Sequence, residues 1–101
     1  MNNREYEFNE ENLYDFVEML KALGDSSRLK IIHSLMEGEL CVSDISDSTG
    51  LGQSLVSHHL SILKAVRLVK PRRDGKNIFY AIDDDHVKDI FVQGMNHVAH
   101  K

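Results

Sequence analysis

Apolar residues recur at intervals of three and four over the first part of the chain. In NEENLYDFVEMLKAL they are Leu13, Phe16, Val17 and Leu20; in SSRLKIIHSLMEG they are Leu29, Ile32 and Leu35–Met36. That period predicts two amphipathic helices. Asn9 stands at the cap position of the first, with acids in its first turn, and Gly24 closes it. The second starts at Ser26 and ends at Gly38. SDISDSTG predicts a short helix from about Ser43 to Gly50, LGQ a turn, and SLVSHHLSILKAV a further helix capped by Ser54. The period then shortens. RLVKPRR and KNIFYAI read as strands, and Asp74-Gly75 between them predicts a hairpin with a type I′ turn, whose two central residues both need positive φ. From about Asp83 to His100 the helical pattern returns. Two helices joined by a tight turn and followed by a two-stranded ribbon describe a winged helix-turn-helix, mainly α with a β-hairpin wing. The predicted layout is one domain over 1–101. It has a helix-turn-helix at about 43–66, a wing at about 67–82 and a closing helix at about 83–100.

Charge gives this layout a direction. The chain is acidic, with a formal net charge of -4, which by itself argues against a nucleic-acid partner. The distribution reverses that inference. Lys64, Arg67, Lys70, Arg72, Arg73 and Lys76 crowd the wing and its approach, against Asp74 alone, while the N-terminal segment carries acids and Arg4. On a wheel of about 100° per residue, Leu55, Val56, Leu60, Ile62, Leu63 and Val66 gather on one side of the helix 54–66. Ser54, Ser57, His58, Ser61 and Lys64 take the other side, and Gln53 sits just before the helix. Small hydroxyls, an amide and an imidazole suit the major groove, where they bond base edges or phosphates. Arg72, Arg73 and Lys76 flank the hairpin tip and suit phosphate or minor-groove contact; the same charges also protect a hairpin edge from aggregation. His59 falls on the apolar side, as a packing histidine.

The remaining composition sets bounds. At 101 residues the chain holds one small domain, and 42% hydrophobic residues allow a small core. No apolar run is long enough to span a membrane, and MNNREYEFNEEN is the opposite of a signal peptide, so a cytoplasmic location is expected. The single cysteine, Cys41, rules out an internal disulfide, fits a reducing compartment, and is expected as a small buried residue.

The closing segment, DDDHVKDIFVQGMNHVAHK, holds His86, His97 and His100 among aspartates. His86 and His97 share a helical face, within about 20°, but lie about 16 Å apart along the axis. A metal–nitrogen bond is about 2 Å, so the two cannot meet on one ion from one helix. His97 and His100, three apart, can. The split is resolved if the helix pairs antiparallel with a second copy. His86 of one protomer then meets His97 and His100 of its partner, and two-fold symmetry gives two sites per dimer. Val87, Ile90, Phe91, Gly94 and Val98 supply an apolar stripe for that pairing, with Gly94 allowing close backbone approach. A carboxylate completes the set, and geometry leaves Asp84, Asp85 and Asp89 open: Asp89 lies nearest the stripe, while Asp84 precedes the regular helix.

LKALGDSSRLKIIHSL, GQSLVSHHLSILKAVRLVKPRRDGKNIFYAI and Asp84-x-His86, ten residues, His97-x-x-His100 together resemble the ArsR/SmtB family of metal-sensing winged-helix repressors. The resemblance covers about residues 13–100, in three ordered segments. It implies a homodimer that binds operator DNA without metal and releases it when metal binds, freeing genes that export or sequester metal. It also selects Asp84 as the carboxylate ligand. The chain departs from members with thiolate sites: ELCVSDIS has Cys41 alone, with Ser43 in place of a second thiol. One carboxylate and three imidazoles suit tetrahedral Zn²⁺, with Co²⁺ as a substitute. The expected function is therefore a zinc-responsive repressor of operator DNA, dimeric through its N-terminal residues 1–22 and its last helix. The alternatives are a Ni²⁺ or Co²⁺ sensor of the same fold, or a winged-helix regulator without metal response. A metalloprotease is not expected, since HVAH lacks the glutamate and the spacing of H-E-x-x-H.

Overall fold

The computed structural model describes residues 5–100. Eight elements follow one another: α1 (Glu10–Leu23), α2 (Ser26–Ser34), β1 (Leu40–Cys41), α3 (Val42–Thr49), α4 (Gln53–Ala65), β2 (Val69–Asp74), β3 (Asn77–Ile82) and α5 (Asp85–Ala99). The winged helix-turn-helix order is the expected one. Residues 1–4, which belong to the segment expected at a subunit interface, and Arg4 in the charge tally, lie outside the described residues.

Local chemistry accounts for most of the boundaries. Asn9 Oδ1 accepts the Asn12 N–H at 2.8 Å and caps α1. Asp25 caps α2, accepting from Arg28 N at 3.0 Å, and this bond draws its carboxyl below the usual range. α3 ends on Gly50 at φ 77°, a left-handed value that glycine adopts without strain. α4 ends differently. Arg67 N bonds Lys64 O at 3.0 Å and Leu68 N bonds Leu63 O at 2.9 Å, the paired bonds of a Schellman motif. Arg67 takes the left-handed position at φ 60°, where glycine is usual.

Several expectations are corrected. α2 stops at Ser34, and a turn carries the chain on to Gly38 at φ 147°. Gly52, not Ser54, is the N-cap of α4, and Gln53 is its first residue rather than the one before it. In the hairpin, Asp74 pairs with Asn77, so Gly75 and Lys76 form the loop. Gly75 has φ 64° and Lys76 is not at positive φ, which is the sign pattern of type II′ rather than type I′. A third strand also appears: β1 pairs antiparallel with β3, Leu40 opposite Tyr80 and Cys41 opposite Phe79. The sheet order is β1-β3-β2, which leaves β2 at an edge, where Pro71 costs no ladder bond on its open side.

The core gathers where these elements converge. Ile31 and Ile32 from α2, Leu35 at its C-cap, Ile45 from α3, and Val56, Leu60 and Leu63 from α4 are fully buried, with Leu68, Val69 and Ile82 closing it from the wing and Val87 from α5. Leu55 departs from the expected apolar side of α4: it is 43% exposed. The apolar stripe of α5 also divides. Val87 and the half-buried Phe91 face the core, while Ile90 and Val98 are exposed and a Cβ on Gly94 would meet open space. Cys41, expected buried, is half-buried at the edge of the sheet, its Sγ 3.3 Å from both Ser43 Oγ and Asp44 Oδ2.

Candidate metal centre and nucleic-acid interface

The outward side of α4 carries Gln53, Ser54, Ser57, His58, Ser61 and Lys64, all exposed. Its N-terminus has no side-chain cap, and its first backbone bond runs from Val56 N to Gly52 O. The N–H groups of the first turn are therefore free to meet an anion. The Ser61 hydroxyl donates to its own helix, to His58 O at 2.8 Å. The adjacent histidines take opposite sides. His58 is exposed, whereas His59 is 8% exposed and packs among the helices, as its place on the wheel implied.

His59 has a specific partner that spacing alone did not reveal. Arg28 Nη1 lies 3.3 Å from His59 Nδ1, and Arg28 Nε donates to Ala22 O at 2.7 Å. A guanidinium cannot accept a hydrogen bond. In this contact His59 Nδ1 is therefore the acceptor. One arginine thus ties the end of α1 and the start of α2 to the middle of α4.

The wing's basic residues are not equivalent. Arg73 and Lys76 are exposed and form no ion pair among the described residues. Arg72 is held from two sides. Its Nε donates to both carboxylate oxygens of Glu39 at 3.1 Å, Nη2 bonds Oε1, and its guanidinium lies 5.1 Å from the Phe79 ring centre. The Arg72 side-chain bond pulls the Glu39 carboxyl below its ordinary range, and Glu39 raises the guanidinium in turn.

At the start of α5 the structure brings together Asp84 and His86. Asp84 is the N-cap: Oδ1 accepts the Val87 N–H at 3.2 Å, while Oδ2 lies 3.4 Å from His86 Nδ1. The Val87 bond is the larger cause, and His86 the lesser, of an Asp84 carboxyl held below the usual range. His97 is in the last turn and His100 is the C-cap. Both are exposed, and neither is brought to the Asp84–His86 pair: among the described residues no three of His, Cys, Asp and Glu cluster as a metal site. Asp85 and Asp89 are exposed on α5 and make no bond to these histidines among the described residues. The donors present, a carboxylate oxygen left over from capping and an imidazole on the surface, have the chemistry for a zinc ion.

Two further features bear on the pair. Tyr14, Met19, Arg67, Asp84, His86 and Ile90 line a cleft of about 720 Å³ between α1, the end of α4 and the start of α5. Asp83 N donates to Leu68 O at 3.0 Å, so the residue before Asp84 is bonded to the chain just beyond the reading helix. In and around the cleft, Tyr14, Phe16 and Leu20 on α1 and Ile90, Met95 and Val98 on α5 leave a large apolar surface uncovered in the protomer.

Residues 25–70 match the family described as bacterial regulatory protein, arsR family. The chain is 39% identical over 88 residues to a Staphylococcus aureus protein called cadmium resistance transcriptional regulatory protein CadC homolog, covering 86% of this chain and 73% of that one. It is 41% identical over 81 residues to the transcriptional repressor SmtB homolog of Synechocystis, covering 80% of this chain and 61% of that one. Among solved structures, the homodimeric winged helix-turn-helix DNA-binding domain of Mb0332 from Mycobacterium bovis superposes with a TM-score of 0.85 at 28% identity, covering 98% of this chain and 91% of that one.

Proposed function

Because the chain belongs to the ArsR family of bacterial regulatory proteins, and so is a transcription regulator rather than an enzyme, we propose that it is a zinc-responsive repressor. It binds operator DNA as a metal-free homodimer and leaves it when zinc binds, releasing genes for metal efflux or sequestration. Gln53, Ser54, Ser57 and His58 read the major groove, and Arg72, Arg73 and Lys76 contact the backbone from the wing. Asp84 and His86 of one protomer with His97 and His100 of its partner hold each ion, two per dimer, with Co²⁺ as a substitute. The exposed apolar faces of α1 and α5 support a dimer of this kind.

The observation that carries the zinc reading is the Asp84–His86 pair at the start of an exposed α5. The cadmium in one relative's name does not transfer: this chain has a single cysteine, whose Sγ is bonded to Ser43 and Asp44. Coupling to DNA follows from position. The Asp83–Leu68 bond ties the start of α5 to the end of the reading unit, so a change in how two α5 helices pair alters the placement of two α4 helices against successive major grooves. A coupling of about 1–3 kcal/mol is usual for such systems, or about 5–150-fold in operator affinity.

The test is operator affinity titrated with Zn²⁺, Ni²⁺ and Co²⁺ in parallel, for the parent and for His97→Ala. The parent should release DNA at the lowest concentration of zinc, and His97→Ala should bind DNA equally well and ignore the metal. A His97→Ala protein that leaves DNA at the parent's zinc concentration refutes the site, and a parent that responds first to Ni²⁺ refutes the zinc assignment.

A further inference from the structure

We infer that Leu55 reads the 5-methyl group of a thymine in the operator's major groove, an inference that rests on the DNA-binding reading above. Leu55 is the third residue of α4, in the N-terminal turn from which a reading helix reaches base edges. It is 43% exposed while Val56, Leu60 and Leu63 on the same helix are fully buried. It is not among the apolar residues of the core or those packed against it. On the helix it lies about 60° from His58, which follows it by about one turn, so its side chain borders the face formed by Ser54, Ser57 and His58. Those neighbours are short or polar, so the leucine is the one sizeable apolar group at that end of the face. Leu55 lies in the first turn of a helix whose N-terminus has no side-chain cap, and the same chain carries an exposed basic wing; both features suit a polyanion and not an apolar protein partner.

In the major groove one base presents an apolar group, the C5-methyl of thymine, and aliphatic side chains select it by contact. Ser, Gln and His bond polar edges and cannot make that distinction. Leu55 thus adds a thymine preference that the hydrogen-bonding residues do not supply, at a position next to the base met by His58. The affinity carried by one buried methyl is about four-fold. With two half-sites per dimer, removing both methyls costs about fifteen-fold.

The experiment uses the full chain. The parent first enriches its operator from a pool of random duplexes at fixed salt. Each thymine of the enriched site is then replaced, symmetrically in both half-sites, by deoxyuridine, which keeps the base pair and removes only the methyl. Affinities are measured for the parent, Leu55→Ala and Leu55→Met. One thymine position is expected to cost the parent about ten- to twenty-fold on replacement. Leu55→Ala should bind the thymine site more weakly and be indifferent to deoxyuridine there, and Leu55→Met should recover most of the discrimination. The inference is overturned if no deoxyuridine replacement weakens the parent, or if the losses from Leu55→Ala and deoxyuridine multiply independently. A parent that enriches no duplex at all overturns the DNA-binding reading, and this inference with it.

Discussion

Replacing His59 by alanine removes an imidazole that is 8% exposed and that accepts from Arg28 at 3.3 Å. A hydrogen bond to a charged group is worth about 1.5–3 kcal/mol. Arg28 is half-buried and retains water on one side, so the low end of that range applies. The space left by the ring adds roughly 1 kcal/mol, because the surrounding helices relax only in part. The sum is about 2–3 kcal/mol. For a domain of this size each kcal/mol lowers Tm by roughly 4–8 °C, so a fall of about 10–20 °C is expected. The neighbouring His58→Ala removes an exposed ring with no such partner and should shift Tm by no more than a few degrees. Thermal unfolding followed by circular dichroism, with metal chelated and protein concentration held fixed, measures both; the fixed concentration matters because dimer stability follows mass action. Operator selection should show the reverse pattern, with His58→Ala altering base preference and a folded His59→Ala leaving it alone. Equal Tm values for the two variants, or a His59→Ala protein within about 3 °C of the parent, would refute the assignment of one histidine to the core and one to the groove.

Two further outcomes are expected. Asp84→Asn keeps an oxygen that can accept from Val87 N but loses the carboxylate, so it should preserve the helicity of α5 while abolishing the zinc response; Asp84→Ala should lose both, and an Asn variant that still responds to zinc at the parent's concentration removes Asp84 from the ligand set. Glu39→Gln weakens the grip on Arg72 and frees a cation on the wing, so operator affinity at low salt should rise and the slope of log K against log salt should steepen by about one, whereas Arg73→Ala and Lys76→Ala should each flatten it by about one. Arg72→Ala should flatten the slope by about one if Arg72 already reaches phosphate in the parent, and a slope unchanged in both Glu39→Gln and Arg72→Ala means that Arg72 does not reach phosphate.

The elements that declared themselves in the sequence are those whose causes are local. Asn9 caps its own helix, Gly24 and Gly50 end theirs, and the change from helical to alternating period marks the wing. What depended on distant partners stayed hidden. β1 is two residues long and exists only because Tyr80 and Phe79 lie opposite Leu40 and Cys41. Glu39 and Arg72 are 33 positions apart, as Arg28 and His59 are 31 apart, and no window of sequence contains either pair. The wheel of α4 groups Leu55 with its apolar neighbours, but an angle cannot say where the covering elements end, and Leu55 is 43% exposed. The turn at Gly75 was legible as a turn, while its type depended on which residues the strand pairing claimed first. For the metal site, spacing alone required two chains, and within one chain the structure assembles only Asp84 with His86.

The two oxygens of Asp84 have separate employments, one in holding the first turn of α5 and one beside His86. Selection can therefore act on this residue twice. A descendant that abandoned metal sensing and let its histidines drift would still favour an aspartate, asparagine, serine or threonine here, because the helix would still need its cap. An aspartate at this position in a relative is thus poor testimony to a metal site, and the histidines are the better witnesses.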